Sequence, residues 1–415
     1  MKKINQKNNN LIFFRLINKI NFFLPYIFIF LLPTQLGKHF FFDFSYINGV
    51  RVDYIAPTLY LIDIVFFLII IFNFRLFFSF LKNKKILIVF LFLTINFIFS
   101  QSKIITVFSF LKIFQILFVF YFFYHIRIKK KLFLISILSI TLIEWFLSLY
   151  QLKFGHSFDG IFYFLGERHI SINHPSIAKV FFFDKEILRP YATFSHPNSL
   201  AGFYLLLYVF LITKKNFYNY QLLKTFLIFL SASLIFLSFS KVAIFVFLVV
   251  NIIFYFQKIK HCRLCLLVKI FTFSTLSFIF LFSKGDTLSL EKRKELFFQG
   301  LNIIKSYPIF GVGIGNYLLA QKNFPSSFPL FFNQPVHNIF LLVIAEIGIL
   351  FFVLILFFTI IFFKKNYKKI TTTIYYLLFT IFTTGFFDHY WLTLKQNFLV
   401  LALIFGVVFQ DLKRS

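Results

Sequence analysis

The chain has 415 residues, of which 60% are hydrophobic and only 14% are charged. A soluble domain is typically about half apolar and a quarter charged, so a soluble chain of this composition would have to bury nearly every helix on all sides. A lipid bilayer removes that requirement, and runs of about 20 mostly apolar residues, enough to span a membrane, recur along the sequence. The composition therefore excludes an ordinary soluble domain.

The formal net charge of +29 would favour nucleic-acid binding in a soluble protein. Here the basic residues form short clusters between apolar runs, so orientation in a membrane explains them better. We predict that the lipid bilayer is a partner and that nucleic acid is not. The two cysteines, Cys262 and Cys265, lack the second pair that a zinc site needs, and we interpret them as reduced thiols.

The apolar runs predict an all-α, multi-pass membrane protein with about 12 transmembrane helices, forming a single domain over residues 1–415. The runs lie at about 20–33, 57–73, 86–100, 104–124, 132–152, 198–213, 222–239, 242–256, 264–282, 338–363, 371–386 and 392–410. The short interruption at 238–241 predicts a tight hairpin between two of these helices.

Placing the N-terminus in the cytoplasm makes the cytoplasmic loops short and almost purely basic, as the positive-inside rule requires. Both termini are then predicted to be cytoplasmic. Two long segments, 153–197 and 283–336, become outer loops. Because loops longer than about 15 residues are more often functional than idle, we expect the chemistry at the outer face.

The first candidate site residue, Arg189, precedes the outer end of the helix predicted from residue 198. A planar guanidinium suits phosphate oxygens, and Asn198 together with Pro197 would begin the helix and leave free N–H groups that attract anions. The alternative is a loop arginine followed by an ordinary helix cap.

The second candidate is Arg293, which precedes the run Tyr307-Pro-Ile-Phe-Gly-Val-Gly-Ile-Gly-Asn316. Glycine permits tight turns and a close approach of the backbone to a ligand, so Gly313 and Gly315 are candidate substrate-binding residues. The run is not a dinucleotide-binding fingerprint, since no strand–helix unit surrounds it.

The third candidate is His337, which stands with Asn338 at the outer mouth of a helix that carries Glu346. His337 is a candidate base or phosphate-side donor. In a regular helix Glu346 lies about 180° around and roughly 13–14 Å deeper, so the two residues cannot form a direct pair. Glu346 is either a functional intramembrane acid or a neutral group hydrogen-bonded to a neighbouring helix.

Two further outer positions carry polar groups. Lys241 is a cation at the predicted hairpin, where the alternative is an exposed turn lysine, and Asp388 with His389 either forms an oriented pair or belongs to an ordinary interfacial turn. The outer loops contain no Asp-x-Asp motif of the kind that holds a divalent cation. We therefore predict a site without metal or cofactor, in which Arg189, Lys241 and Arg293 neutralise a diphosphate.

These motifs, in this order, resemble the O-antigen ligase and O-antigen polymerase superfamily of bacterial envelope glycosyltransferases. The resemblance runs from about residue 54 to 410, with the ligase-like core at 189–410. It rests on the segments 54–63, 189–198, 240–241, 293–316 and 337–348 and on the aromatic turn before the last helix. Two positions depart from the family pattern: Lys241 replaces an arginine, which removes the bidentate geometry, and Ala192 stands where the family usually has glycine.

The resemblance implies an architecture like that of the GT-C glycosyltransferases and a location in the bacterial inner membrane. It implies transfer of a glycan from undecaprenyl diphosphate to an acceptor hydroxyl at the outer face, by inverting and metal-independent chemistry in lipopolysaccharide biosynthesis. The acceptor would be lipid A–core for a ligase, the preferred reading, or another lipid-linked repeat for a polymerase. Arg189, Lys241 and Arg293 would stabilise the diphosphate. His337 would activate the acceptor hydroxyl or assist the diphosphate, and Asn198 and Asn338 would position these groups. A flippase for lipid-linked sugars is the alternative from another class.

Overall fold

The computed structural model describes residues 18–413, with gaps at 176, 183–184, 259–273, 275–276, 279–281, 285–286, 329–332 and 368–369. The described chain is predominantly helical, as predicted. Its helices are α1 (Asn18–Leu31), α2 (Leu61–Phe72), α3 (Phe74–Leu81), α4 (Lys84–Phe99), α5 (Lys103–His125), α6 (Lys130–Phe154), α7 (Pro197–Thr213), α8 (Gln221–Leu237), α9 (Lys241–Lys258), α10 (Thr287–Ser306), α11 (Tyr317–Gln321), α12 (Ile339–Asn366), α13 (Thr372–Gly385), α14 (Tyr390–Thr393) and α15 (Lys395–Leu412).

Within the described ranges, four helices are long and apolar enough to cross a membrane: α5, α6, α12 and α15. Helices α2 and α3 make a fifth candidate if they form one broken span, because they bend by 90° at Asn73. The apolar helices α1, α7, α8 and α9 are shorter. These helices make the chain a multi-pass helical membrane protein, while the count of about 12 spans stays a prediction.

Most predicted apolar runs coincide with helices, but two do not fit simply. The run at 57–73 begins in a strand and ends at the sharp bend before α3, so its continuation points in a new direction. The run at 264–282 falls almost entirely outside the described residues. The tight hairpin predicted at 238–241 is confirmed, since α8 ends at Leu237 and α9 begins at Lys241.

Helix α7 occupies the centre of the bundle. Its residues from Pro197 to Leu211 are buried with the single exception of Asn198, so this helix is apolar on all sides and surrounded by other helices. It packs against α8, α13, α15 and α9. The end of α7 at Pro197 is therefore held rigidly, which fixes the position of the loop before it.

Short antiparallel strands lie at one end of the bundle: β1 (Gly37–His39) with β4 (Thr58–Tyr60), and β2 (Tyr46–Ile47) with β3 (Val50–Arg51). A third sheet pairs β5 (Lys179–Phe182) with both β6 (Lys185–Leu188) and β7 (Ser283–Lys284). The pairing of β5 with β7 joins the two predicted outer loops, which therefore lie on the same side. At the other end, Lys214 forms an ion pair with Asp411, two residues that the topology assigns to one face.

Candidate functional site

The loop that carries Arg189 is fixed to α6 by buried polar side chains. Glu144 accepts hydrogen bonds from the backbone N–H of Thr193 at 3.1 Å and from its hydroxyl at 2.6 Å. The Gln151 side-chain oxygen accepts from the N–H groups of Tyr191 and Ala192, each at 2.8 Å. Because unpaired buried polar groups are costly, these bonds hold the loop in a single conformation.

Ala192 adopts a left-handed backbone with φ of +48°. This conformation costs an L-residue other than glycine about 1–2 kcal/mol, which gives a physical reason for glycine in the family pattern. The bonds from Gln151 hold this conformation although the residue is alanine. The loop therefore accommodates alanine at a position with a left-handed backbone.

Arg189 is joined to Asp388 through Asn198. The Arg189 guanidinium donates from Nη2 to Asn198 Oδ1 at 2.6 Å and from Nε to the Ser238 carbonyl at 2.9 Å. Asn198 Nδ2 in turn donates to Asp388 Oδ2 at 2.8 Å. Asn198 was expected to cap α7, but the cap is His196, whose Nδ1 accepts from the Asn198 N–H at 3.1 Å.

Asp388 lies at the centre of the cluster and is 7% exposed. Its Oδ1 accepts from the backbone N–H of His389 at 2.8 Å and lies 3.7 Å from His337 Nδ1, an electrostatic contact longer than a hydrogen bond. Burial raises the pKa of Asp388, but interaction with His337 and the charges of His389 and Arg293 outweigh it and hold the pKa well below its usual range. The Asp388 carboxylate is therefore ionised at neutral pH.

His337 is held against Asp388 by the residue that follows it. Asn338 caps α12 with Oδ1, which accepts from the N–H groups of Phe340 at 2.9 Å and Leu341 at 3.0 Å. Its Nδ2 donates to the Phe386 carbonyl at 3.2 Å. Asn338 thus connects the start of α12 to the turn that carries Asp388. These bonds fix the position of His337, the residue before it.

Arg293 reaches the same turn from α10. Its Nη1 lies 3.4 Å from the Phe387 carbonyl, one residue before Asp388. Burial lowers the pKa of Arg189 to about 10, with a further lowering by Arg293, so Arg189 remains charged at neutral pH. Two guanidinium groups, from the two predicted outer loops, therefore converge with His337 on Asp388.

Two further histidines complete the cluster. Burial lowers the pKa of His196 to about 3, as it does that of His389, so both are neutral at neutral pH. His389 Nδ1 lies 2.8 Å from the Thr393 hydroxyl, and its ring packs edge-on against Tyr54 at 5.7 Å between centroids. The His337 and His389 rings lie 5.0 Å apart.

The glycine run packs against a break in α12. Gly348 has a φ of +80° and a ψ of 165°, which interrupts the hydrogen bonds of the helix. The N–H groups of Val312 and Gly313 donate to the freed carbonyls of Ala345 and Glu346, each at 2.9 Å, and the Ile349 N–H donates to the Pro308 carbonyl at 2.8 Å. The run therefore supplies partners to backbone groups that a kinked helix leaves unpaired.

Gly313 and Gly315 also approach α4 and α5 too closely for a side chain. A Cβ on Gly313 would lie 2.3 Å from Ser100 Cβ, and one on Gly315 would lie 2.1 Å from Ser109 Oγ. The Glu346 carboxyl faces the backbones of Gly315 and Tyr317. These contacts account for the glycines by packing, and their role in substrate binding stays a prediction.

Lys241 begins α9 on the turn whose Ser238 carbonyl binds Arg189. Its side chain is exposed. The structure thus places Lys241 on the turn that supports Arg189, and its contact with a diphosphate stays a prediction.

One group of side chains has the spacing of a metal site. Among the described residues, His337, Asp388 and His389 offer ligand atoms that lie within 4.8 Å of one another. His389 Nδ1 already lies within hydrogen-bonding distance of Thr393, and Asp388 Oδ1 accepts from the His389 N–H. The prediction of a metal-free site stays a prediction, and chelation tests it.

The sequence offered different amounts of guidance for the residues of this cluster. The sequence predicts a pair of Asp388 and His389 only as an alternative to an ordinary interfacial turn, and it predicts Asn198 instead of His196 as the helix cap. The histidine directly before Pro197 was a usable indication, because a side chain that accepts a hydrogen bond often precedes a helix. The central position of Asp388 depends on contacts 190 residues apart along the chain.

Comparison with family models gives a match to O-antigen ligase over residues 198–356. Comparison with curated proteins and with solved structures gave no match. The matched segment contains Lys241, Arg293 and His337, whereas Arg189 and Asp388 lie outside it. It supports an O-antigen ligase- or polymerase-type function in general terms. Over residues 198–356, therefore, the chain is similar to the O-antigen ligase family.

Proposed function

We propose that this protein is a glycosyltransferase of the outer face of the bacterial inner membrane that moves a glycan from undecaprenyl diphosphate to an acceptor hydroxyl. The observation that carries the proposal is the convergence of Arg189, Arg293 and His337 on the buried carboxylate of Asp388. Cations that gather beside an oriented histidine are suited to a reaction with an anionic leaving group and a hydroxyl nucleophile.

In the proposed reaction the acceptor oxygen attacks the anomeric carbon of the lipid-linked sugar. The bond between that carbon and the diphosphate oxygen breaks, and the electron pair leaves with the lipid diphosphate. His337 takes the proton of the acceptor hydroxyl. Asp388, 3.7 Å from His337 Nδ1, stabilises the imidazolium that forms and leaves Nε2 for the acceptor, a positioning role of the kind seen in other histidine–carboxylate pairs.

The guanidinium groups stabilise the leaving diphosphate. Arg189 has five N–H donors, and in the described part of the chain two are engaged, by Ser238 and Asn198. The remaining donors would bind the phosphate oxygens in this scheme. Lys241, on the turn beside Arg189, would add a point charge without bidentate geometry. No metal or cofactor is required in this scheme.

The acceptor that we favour is lipid A–core, which makes the protein an O-antigen ligase; the second candidate is a polymerase that extends another lipid-linked repeat. Glycan length in a deletion strain separates them. Loss of a ligase leaves long polymer on the lipid carrier, whereas loss of a polymerase leaves surface lipid that carries single repeats.

The transport alternative finds little support in the intramembrane charges. Asp63 is engaged by Lys395 and by Gln115 Nε2 at 2.8 Å, and Glu144 is engaged by Thr193. These contacts join helices to each other or to the loop before α7. A flippase would instead be expected to present charged groups to a cavity near the membrane midplane.

The test is transfer by the purified full-length protein, reconstituted in liposomes with a glycan on undecaprenyl diphosphate and a lipid acceptor. We expect His337→Ala to lower the rate by about 10²–10⁴-fold and Arg189→Ala or Arg293→Ala by about 10²–10³-fold. Matched controls are His169→Ala, which removes an exposed histidine paired with Asp159, and Arg51→Ala, which removes an exposed arginine paired with Asp53.

Both control variants should transfer glycan at the wild-type rate. Near-normal turnover by all three site variants, with folded protein shown by size-exclusion profile, would refute the site assignment. Equal loss in the site variants and the controls would point to damage to the outer loops rather than to catalysis.

A further inference from the structure

A separate polar cavity lies on another face of the helix that carries Arg293. It has a volume of about 250 Å³ and is enclosed by α10, by the segment after α11 and by the β2–β3 hairpin. Its polar lining includes Glu295, Gln299, Gln321 and Asn333, and Phe324 supplies an aromatic wall. The volume lies just below the range of about 300–1,000 Å³ typical of drug-sized ligands, which suits one small polar unit.

The cavity adjoins the proposed reaction site without sharing its residues. At about 100° per residue, the face of α10 that carries Glu295 and Gln299 is centred roughly 140° around the helix from Arg293. A further face carries Phe297 and Phe298, which are 42% and 63% exposed. Asn333 also lies only a few residues before His337 in the chain. Arg293 therefore stands between an exposed apolar face and the polar cavity.

A chain of amides fixes which atom of Gln321 is left without a hydrogen-bond partner. Gln299 Nε2 donates to the Pro325 carbonyl at 2.9 Å and to Glu295 Oε1 at 3.3 Å, so the Gln299 oxygen must be the acceptor on its other side. That oxygen accepts from Gln321 Nε2 at 2.7 Å. Gln321 Oε1 is then left as a hydrogen-bond acceptor.

Two buried atoms of the lining have no hydrogen-bond partner in the described part of the chain: Gln321 Oε1 and Asn333 Nδ2. Gln321 as a residue is only 8% exposed. One atom accepts a hydrogen bond and the other donates one. A hydroxyl group does both, and a saccharide presents several hydroxyls together with an apolar ring face that an aromatic wall can contact.

We propose that this cavity binds one saccharide unit of a substrate glycan, with Gln321 Oε1 accepting from a sugar hydroxyl and Asn333 Nδ2 donating to one. The identification of the saccharide as part of a substrate rests on the proposed transferase function. Lys292 and Lys322 line the cavity beside Glu295, so inorganic phosphate is included among the probes, and binding of phosphate in place of every sugar would overturn the proposal. The unit belongs to the acceptor or to the donor glycan, and kinetics separate the two sources.

The first experiment measures binding alone, in the transfer-deficient His337→Ala background. The full-length protein is placed in lipid nanodiscs free of glycoside detergent, which would compete. The probes are methyl glucoside, methyl galactoside, N-acetylglucosamine, the soluble glycan released by mild acid from the host's envelope lipids, and inorganic phosphate. Saturation-transfer NMR should detect at least one of the sugars.

Gln321→Met and Asn333→Ala should each weaken this binding by about tenfold, the loss of roughly one hydrogen bond. The matched control is Asn302→Ala, on an exposed position of the same helix, and it should bind like its parent. The two cavity variants are tested separately, so that the proposal can be decided by either one if the other does not fold. Absence of binding by every probe, or equal binding by a folded cavity variant and its parent, would overturn the proposal.

The second experiment measures transfer with His337 intact. The cavity variants should raise KM about tenfold for one substrate, acceptor or donor, and leave kcat and the other KM unchanged. A general structural defect would lower kcat instead. If the His337 and arginine variants transfer normally, the proposed function fails while saccharide binding still stands; if binding fails and those variants lose activity, only the cavity assignment fails.

Discussion

The substitution Gly315→Ala tests whether the glycine run serves packing or ligand contact. A Cβ at this position would lie 2.1 Å from Ser109 Oγ, while its next contacts, Ile105 Cγ2 and Ser109 Cβ, lie at 3.2 Å. The φ of +83° adds a backbone cost. We estimate about 1–2 kcal/mol for the left-handed backbone and about 1–3 kcal/mol for the overpacking.

Two further variants separate these contributions. Gly49→Ala has a similar φ of +76° and nothing within 4 Å of the new Cβ, so it should show the backbone cost alone. The pair Gly315→Ala with Ser109→Ala removes the oxygen at 2.1 Å and should recover the overpacking part, about 1–3 kcal/mol. Thermal unfolding of the purified proteins should show the lowest unfolding temperature for Gly315→Ala. The double variant and Gly49→Ala should unfold at similar, higher temperatures.

A different pattern would refute the packing account. If Gly315→Ala unfolds at the same temperature as Gly49→Ala but loses transfer activity, the new Cβ blocks a substrate rather than a neighbouring helix. In that case Ser109→Ala should also fail to restore stability or activity.

Three other outcomes are expected. Asp388→Asn, which keeps the shape but removes the charge beside the proposed base, should lower the transfer rate about 10²-fold or more, whereas Asp159→Asn, at the exposed pair with His169, should not. His196 has a pKa of about 3 against an ordinary 6.5, so the unfolded chain takes up a proton below pH 6.5 while the folded chain does not. The contribution of His196 to stability is therefore lost as the pH falls from 6.5 towards 3, and the loss reaches about 2 kcal/mol at pH 5. The variant His196→Asn keeps a capping acceptor. Its unfolding temperature should therefore fall less between pH 7 and pH 5 than that of the wild type. Chelation should leave the transfer rate unchanged, and a loss restored by added divalent cation would show that the histidine–aspartate cluster holds a metal.

The sequence by itself determined the class of the protein and the identity of most candidate residues. Hydrophobic runs report on burial over a single helix length, so the spans and the hairpin at 238–241 follow from local composition. Arg189 and His337 could be named because each stands beside the end of a predicted helix, and Arg293 because it precedes the glycine run in a predicted outer loop. These are local properties, which neighbouring residues along the chain already define.

Only the tertiary structure decided how these residues meet. The link from Arg189 through Asn198 to Asp388 joins residues far apart in the chain, and no periodicity encodes such a contact. The bend between α2 and α3 and the break at Gly348 likewise depend on neighbours that supply partners for the interrupted backbone. The sequence of an apolar run is the same whether the helix it forms is straight or broken. A break is stable only where neighbouring segments supply hydrogen-bond partners for the interrupted backbone, and those neighbours are distant in the sequence.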